Sequence, residues 1–221
     1  MDCNNRRMSL LLARQNLELA GELEIKRSRF ITRIRRVSSA DEARALVSDC
    51  RAEFPDARHH CSAFVVSVPG AQPLQHSSDD GEPSGTAGRP MLDVLTGADL
   101  TDVAAVVVRY FGGTLLGTGG LVRTYTDAVA GTLAGAAVVQ RVPYVRARVA
   151  LMHSVAGKVE ADLRAAGYEI ADVRYEASRV QLEVAVESLD SFNTALAELT
   201  SGAASATDAG EIWAEEPAGT L

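Results

Sequence analysis

Three cysteines, Cys3, Cys50 and Cys61, are all that the 221-residue chain carries. They show no metal-ligand spacing and no even framework, so they read as free thiols in a reducing compartment. Long apolar runs are also missing. Val103–Val108 is apolar, but nothing approaches the ~18–20 residues of a membrane span. Leu10–Ala13 is too short for a signal-peptide core, and no small-residue cleavage site follows it. These absences point to a cytoplasmic protein with no membrane partner. Positive charge is scarce in one region only. The formal net charge is −7, with 15 basic and 16 acidic groups in residues 1–140 against 7 and 13 in residues 141–221. The acidic C-terminal part is therefore poorly suited to a phosphate backbone. Catalytic signatures are missing as well. No nucleophile elbow, Walker lysine, EF-hand spacing or internal repeat is present.

Hydrophobic residues make up 47% of the chain, enough for a packed core, and the length suits two small domains of roughly 100 residues each. Glu22–Val37 reads as one strand. Arg27, Arg29, Arg33 and Arg35 share one parity, and Phe30 and Ile34 the other. Ile31 breaks the pattern. Ser39 and Glu42 form a capping box opening a helix with Ala43, Leu46, Val47 and Cys50 on its apolar face. Cys61–Val68 is a second strand. Gln72–Arg89 is a long polar loop, a length that often signals function. Pro90 begins a helix that stops near Gly97. Val103–Phe111 is a buried central strand, followed by a loop with five glycines between Gly112 and Gly120 and then a helix carrying Leu121, Tyr125, Val129 and Leu133. After Arg141–Pro143 the order becomes strand (Tyr144–Met152), helix (Ser154–Ala166), strand (Tyr168–Tyr175), strand (Arg179–Val186), helix (about Asp190–Leu199) and a short strand at Glu211–Trp213. That βαββαβ order is ferredoxin-like. The expected domains are an extension at 1–17, an N-terminal domain at 18–140 and a C-terminal domain at 141–221.

Several groups are candidates for chemistry. Gly112, Gly113, Gly117, Gly119 and Gly120 between a strand and a helix form either an anion cradle or a tight turn packed on its own sheet. Arg109 and Arg123 flank them and suit an anion. The Rossmann spacing fails because Val122 stands where the third glycine belongs. Asp79, Asp80 and Glu82 are either an acid/metal cluster or a turn-forming loop. His59, His60 and Cys61 lack the further ligands of a zinc site. The arginines Arg27, Arg29, Arg33 and Arg35, with Phe30, Tyr110 and Phe111, form either an RNA contact or a solvated face.

The ordered string Ser78-Asp79-Asp80-Gly81-Glu82-Pro83-Ser84-Gly85-Thr86-Ala87-Gly88-Arg89-Pro90-Met91-Leu92, then Val108-Arg109-Tyr110-Phe111-Gly112-Gly113, Leu116-Gly117 and Gly119-Gly120-Leu121-Val122-Arg123 with Tyr125, closely resembles the Impact/YigZ family. It covers roughly residues 20–137, and the C-terminal part resembles the second domain of bacterial members. The resemblance implies an α+β fold: an N-terminal domain like domain IV of elongation factor G (ribosomal-protein-like βαβ) and a ferredoxin-like C-terminal domain. It nominates Ser78, Asp79, Asp80, Glu82, Arg89, Arg109, Tyr110, Phe111, the loop glycines, Arg123 and Tyr125 as binding residues. Eukaryotic relatives regulate translation by competing for an activator of a kinase that phosphorylates an initiation factor. They do so through an additional N-terminal domain of which residues 1–17 offer no counterpart, so that partner is not expected. The expectation is a non-catalytic binding protein in translation regulation, contacting RNA, the ribosome or a translation-regulatory protein, with no cofactor and no metal. The alternative is a nucleotide- or phosphate-binding enzyme built on the glycine loop.

Overall fold

The computed structural model describes residues 10–13 and 18–221. The elements are β1 (Leu10–Leu12), β2 (Glu18–Ile25), β3 (Ser28–Arg36), α1 (Ala40–Glu53), β4 (His59–Val66), β5 (Leu74–Ser78), α2 (Gly88–Gly97), β6 (Val103–Tyr110), α3 (Thr118–Leu133) and β7 (Ala137–Leu151). They continue with α4 (His153–Ala165), β8 (Glu169–Tyr175), β9 (Val180–Val186), α5 (Leu189–Thr200) and β10 (Ala206–Thr220). The chain divides into two units. The first ends at Gln140 and takes back Pro217–Leu221; the second is Arg141–Glu216.

The first unit is built on an antiparallel sheet ordered β2-β3-β6-β4-β5. Its central strand β6 is buried on both faces, which is why its sequence is apolar without alternation. Val103, Ala105 and Val107 pack with Phe30, Ile34, Met91, Leu95, Tyr125 and Val129 under α2 and α3. Ala104, Val106 and Val108 pack with Ile31, Leu46, Cys50 and Phe64 under α1. The capping box of α1 is split. Ser39 Oγ accepts from Glu42 N at 3.2 Å, while the Glu42 carboxylate reaches back to Ser38 N at 2.6 Å rather than to Ser39.

Four details differ from the sequence reading. Glu22–Val37 is two strands, not one. Lys26 and Arg27 have φ of 48° and 65° and turn β2 into β3 with Ile25 opposite Ser28. Two consecutive positive φ values match a type I′ hairpin, whose usual residues are Asn-Gly. Each non-glycine residue there costs roughly 1 kcal/mol. The polar stretch Gln72–Arg89 contains the edge strand β5, which pairs only with β4 among the described strands. The last strand runs from Ala206 to Thr220, far longer than Glu211–Trp213. Finally, Pro217–Leu221 belong with the first unit, where Gly135 N donates to Leu221 O at 2.9 Å and Leu221 N to Ala136 O at 3.1 Å.

The second unit is an α+β layer in which β7 pairs with both β9 and β10, and β8 with β9. The order β10-β7-β9-β8 with a βαββαβ sequence is the ferredoxin-like arrangement. Ala147, Val149, Leu151, Leu182 and Val184 face Val159, Leu163, Phe192 and Leu196 of the two helices. Helix α4 ends where Gly167 takes φ 88°.

Candidate functional site

The conspicuous acids of the 78–90 segment are consumed one by one. Asp79 caps α2 from outside the helix. Its Oδ1 accepts from Ala87 N at 3.0 Å and Gly88 N at 2.9 Å, and its Oδ2 from Gly85 N at 2.8 Å. Ala87, the N-cap residue, has no side chain able to do this. Burial pushes the Asp79 carboxyl up, but these three backbone donors outweigh it and hold it below the usual carboxylate value. Gly88 is required because a Cβ there would lie 2.6 Å from Ser78 N. Asp80, at φ 42°, binds His60 N at 2.6 Å and Arg51 at 2.8 Å, while its carbonyl meets His59 Nδ1 at 2.9 Å. Ser78 Oγ accepts from Asp80 N at 3.3 Å.

Glu82 goes further inward. Its side chain is 3% exposed and that of Arg109 7%, with Arg109 Nη1 donating to Glu82 Oε1 at 2.7 Å. Tyr125 Oη donates to the same oxygen at 2.9 Å. The Cys61 thiol lies 3.3 Å from Tyr125 Oη and 3.0 Å from Asp79 O, and its single hydrogen serves one of them. The Arg109 guanidinium also sits 5.4 Å from the Phe30 ring centroid and 5.7 Å from that of Phe111. Phe30 meets Tyr125 edge-on at 5.3 Å. Burial, then the neighbouring carboxylates, push the Cys61 thiol up to about 12, so it stays protonated and is a poor nucleophile. Burial first, then Cys61 and Glu82, drive the Tyr125 phenol up as well. The pair is only partly satisfied: Glu82 Oε1 accepts from both Arg109 and Tyr125, while the buried Arg109 Nε has no hydrogen-bond partner among the described residues.

The structure therefore brings Glu82, Arg109, Tyr125 and Phe111 together, joined by Cys61 and Phe30, and places Asp79, Asp80 and Ser78 along the adjoining loop. The others stand apart. Arg89 pairs with Asp93 at 2.8 Å within α2, and Arg123, 86% exposed, approaches Asp127 at 3.7 Å within α3. Gly119 and Gly120 are in the first turn of α3, and Gly117 is its N-cap. Tyr110 lies under the Arg29 guanidinium at 5.8 Å. The glycine loop leaves Phe111 51% and Leu115 82% exposed.

The basic strand is largely neutralised. Arg29 pairs with Glu22 at 2.7 Å, Arg33 with Glu53 at 2.7 Å and Glu18 at 3.3 Å, and Arg35 with Glu18 at 2.6 Å and Asp49 at 3.1 Å. Ile31, which broke the strand's alternation, explains the arrangement. It is buried beneath α1 on the same face, so Arg33 and Arg35 meet the acids of α1. Arg27 is not on the strand but at the hairpin tip. Missed entirely by sequence reasoning were Phe30 and Cys61 as members of the buried network. Their apolar character gave no hint of a polar neighbour. Among the described residues no group of three His, Cys, Asp or Glu is placed to hold a metal ion, and no helix is long and apolar enough to cross a membrane.

Fold and site together define a two-unit α+β protein whose most distinctive polar residues are folded into its own interior. Residues 26–133 match the Impact N-terminal domain, and residues 149–203 match a domain of unknown function, DUF1949. The IMPACT family member YvyE of Bacillus subtilis is 39% identical over 82% of this chain and 83% of its own length. The IMPACT family member YigZ of Escherichia coli is 54% identical over 48% of this chain, a match spanning about half, 52%, of that relative. A crystal structure of a hypothetical protein, 37% identical, covers 91% of this chain and 97% of its own at a TM-score of 0.62. The chain belongs to the IMPACT family.

Proposed function

We propose that this chain is a non-catalytic binding protein acting in translation regulation, through contact with RNA, the ribosome or a translation factor. One observation carries the binding reading. The motif acids and Arg109 are spent on internal contacts, while the glycine loop beside them turns Phe111 and Leu115 to solvent. Exposed large apolar groups on a fixed loop suit a partner's surface. Family membership supports the translation setting, since the resemblance set out from the sequence includes eukaryotic translation regulators.

Pull-down from cell extract, with and without RNase, tests this together with ribosome co-sedimentation over a salt series. Recovery of ribosomes or a translation factor is expected. Absence of both, even at low salt, sinks the reading. The nucleotide-binding alternative would use Asp79, Asp80 and Glu82, each of which already has internal partners. A thermal shift with millimolar nucleotide and Mg²⁺, of about 2.7 kcal/mol at roughly a hundredfold excess over Kd, would favour that alternative instead.

A further inference from the structure

We infer that the tip of the β2–β3 hairpin and the first residues of the glycine loop form one contact for single-stranded RNA, with Lys26 and Arg27 on phosphates and Phe111 as a stacking platform. The inference rests on the binding reading above and names its partner class and surface.

The backbone is the first reason. Both central residues of the turn hold positive φ, yet they are Lys and Arg rather than the Asn-Gly that would relieve the strain. Strain of this kind persists at functional positions when the surroundings over-determine it. The surroundings here are Gly112. A Cβ on Gly112 would stand 2.0 Å from the Arg27 carbonyl carbon, and Gly112 N donates to Ser28 Oγ at 3.1 Å. The hairpin tip and the glycine loop are therefore seated against each other, and Phe111 precedes the seat.

Charge is the second reason. Lys26 and Arg27 are exposed, and neither has an ion-pair partner among the described residues, unlike Arg29, Arg33 and Arg35. Glu24 is the nearest acid along the chain and lies opposite Arg29 in the ladder. The cations of the strand are thus already satisfied, and those of the tip are available.

The third reason is the ring. Phe111 is half exposed, and the Arg109 guanidinium beside it is fixed by its buried bond to Glu82. The buried network so becomes the support for an exposed aromatic. An exposed aromatic one residue from a turn that carries two unpaired cations suits an unpaired base with its backbone, since a base must be unstacked to lie on a side chain.

Anisotropy of a labelled mixed-sequence single-stranded RNA, titrated with the full chain over a salt series, tests this. Lys26→Asn with Arg27→Gly removes both cations and installs the favoured turn. Its melting temperature should hold or rise while affinity falls and the salt slope drops by about 1.4, from two phosphates at roughly 0.7 each. Phe111→Ala should weaken binding about tenfold with the slope unchanged. Arg35→Ala should bind as wild type does. Wild-type binding that survives both the turn and the ring substitutions overturns the surface assignment. If wild type binds no RNA yet retains a translation factor after RNase, the RNA proposal falls and the wider binding reading stands. If neither is retained, both fall.

Discussion

Arginines on two neighbouring strands have opposite fates. Arg109 of β6 is buried, bonded to one carboxylate oxygen and set between two rings. Arg29, Arg33 and Arg35 of β3 sit at the surface in pairs shared among Glu18, Glu22, Asp49 and Glu53. The residue type is the same and the ladder is the same, yet of these four only Arg109 lacks water as a fallback partner; Arg36, at the end of β3, is buried too, with Nη1 donating to Leu12 O at 3.0 Å. Removing a surface ion leaves its partner to the solvent. Removing a buried one leaves its partner charged and unpaired.

Breaking the buried side gives the largest effect. Arg109→Ala strands Glu82 and should cost about 3–5 kcal/mol of unfolding free energy, read by urea denaturation. Arg109→Met combined with Glu82→Gln should cost less than the two changes summed, because the pair is coupled. A cost equal to the sum would show that the pair is not a unit. Asp79→Ala comes next, at about 1–2 kcal/mol, through loss of the helix cap. Its pH dependence has a definite sign. The Asp79 carboxyl is held below its ordinary value in the folded protein. Its contribution is therefore present above the unfolded value of about 3.9 and lost as pH falls through the folded one. The gap between wild type and Asp79→Ala should narrow below about pH 4, and a gap that widens there would refute the assignment. Tyr125→Phe keeps the ring against Phe30 and removes one hydroxyl. About 1 kcal/mol is expected, with the Cys61 thiol remaining unreactive to alkylating reagent in the folded state. Arg35→Ala should sit at the bottom, under about 1 kcal/mol and smaller still in high salt. If it rivals Arg109→Ala, the contrast between the two strands is wrong.

Much of the fold was legible because it follows hydrophobic period. Val103–Phe111 reads as a buried central strand, which the structure ends at Tyr110, and the second unit's helices and strands follow its apolar spacing. The hairpin at Lys26-Arg27 was not legible. Its turn lacks the Gly or Asn that marks such a bend, and charged residues continue across it. The edge strand β5 was hidden by its polar composition, which an edge tolerates. At the site, the acidic loop and the glycine loop were legible as segments, but their chemistry was not. An acid in a Ser- and Gly-rich stretch reads as solvated. Nothing local in the sequence says that Glu82 meets an arginine 27 residues away and a tyrosine 43 residues away. Register, by contrast, could be tested from the pattern. Ile31 interrupts the arginine row because α1 covers that face.

The return of Pro217–Leu221 to the first unit bears on how this chain is made. Leu221 bonds to Gly135 and Ala136, and packs on the core that α2 and α3 share. The second unit is thus, in chain order, an insertion into the first. At a synthesis rate of about 5–20 residues per second, the nascent first unit waits several seconds for the segment that completes its end. During that interval it must persist without that segment, held by its sheet and by buried ties such as the Glu82–Arg109 bond.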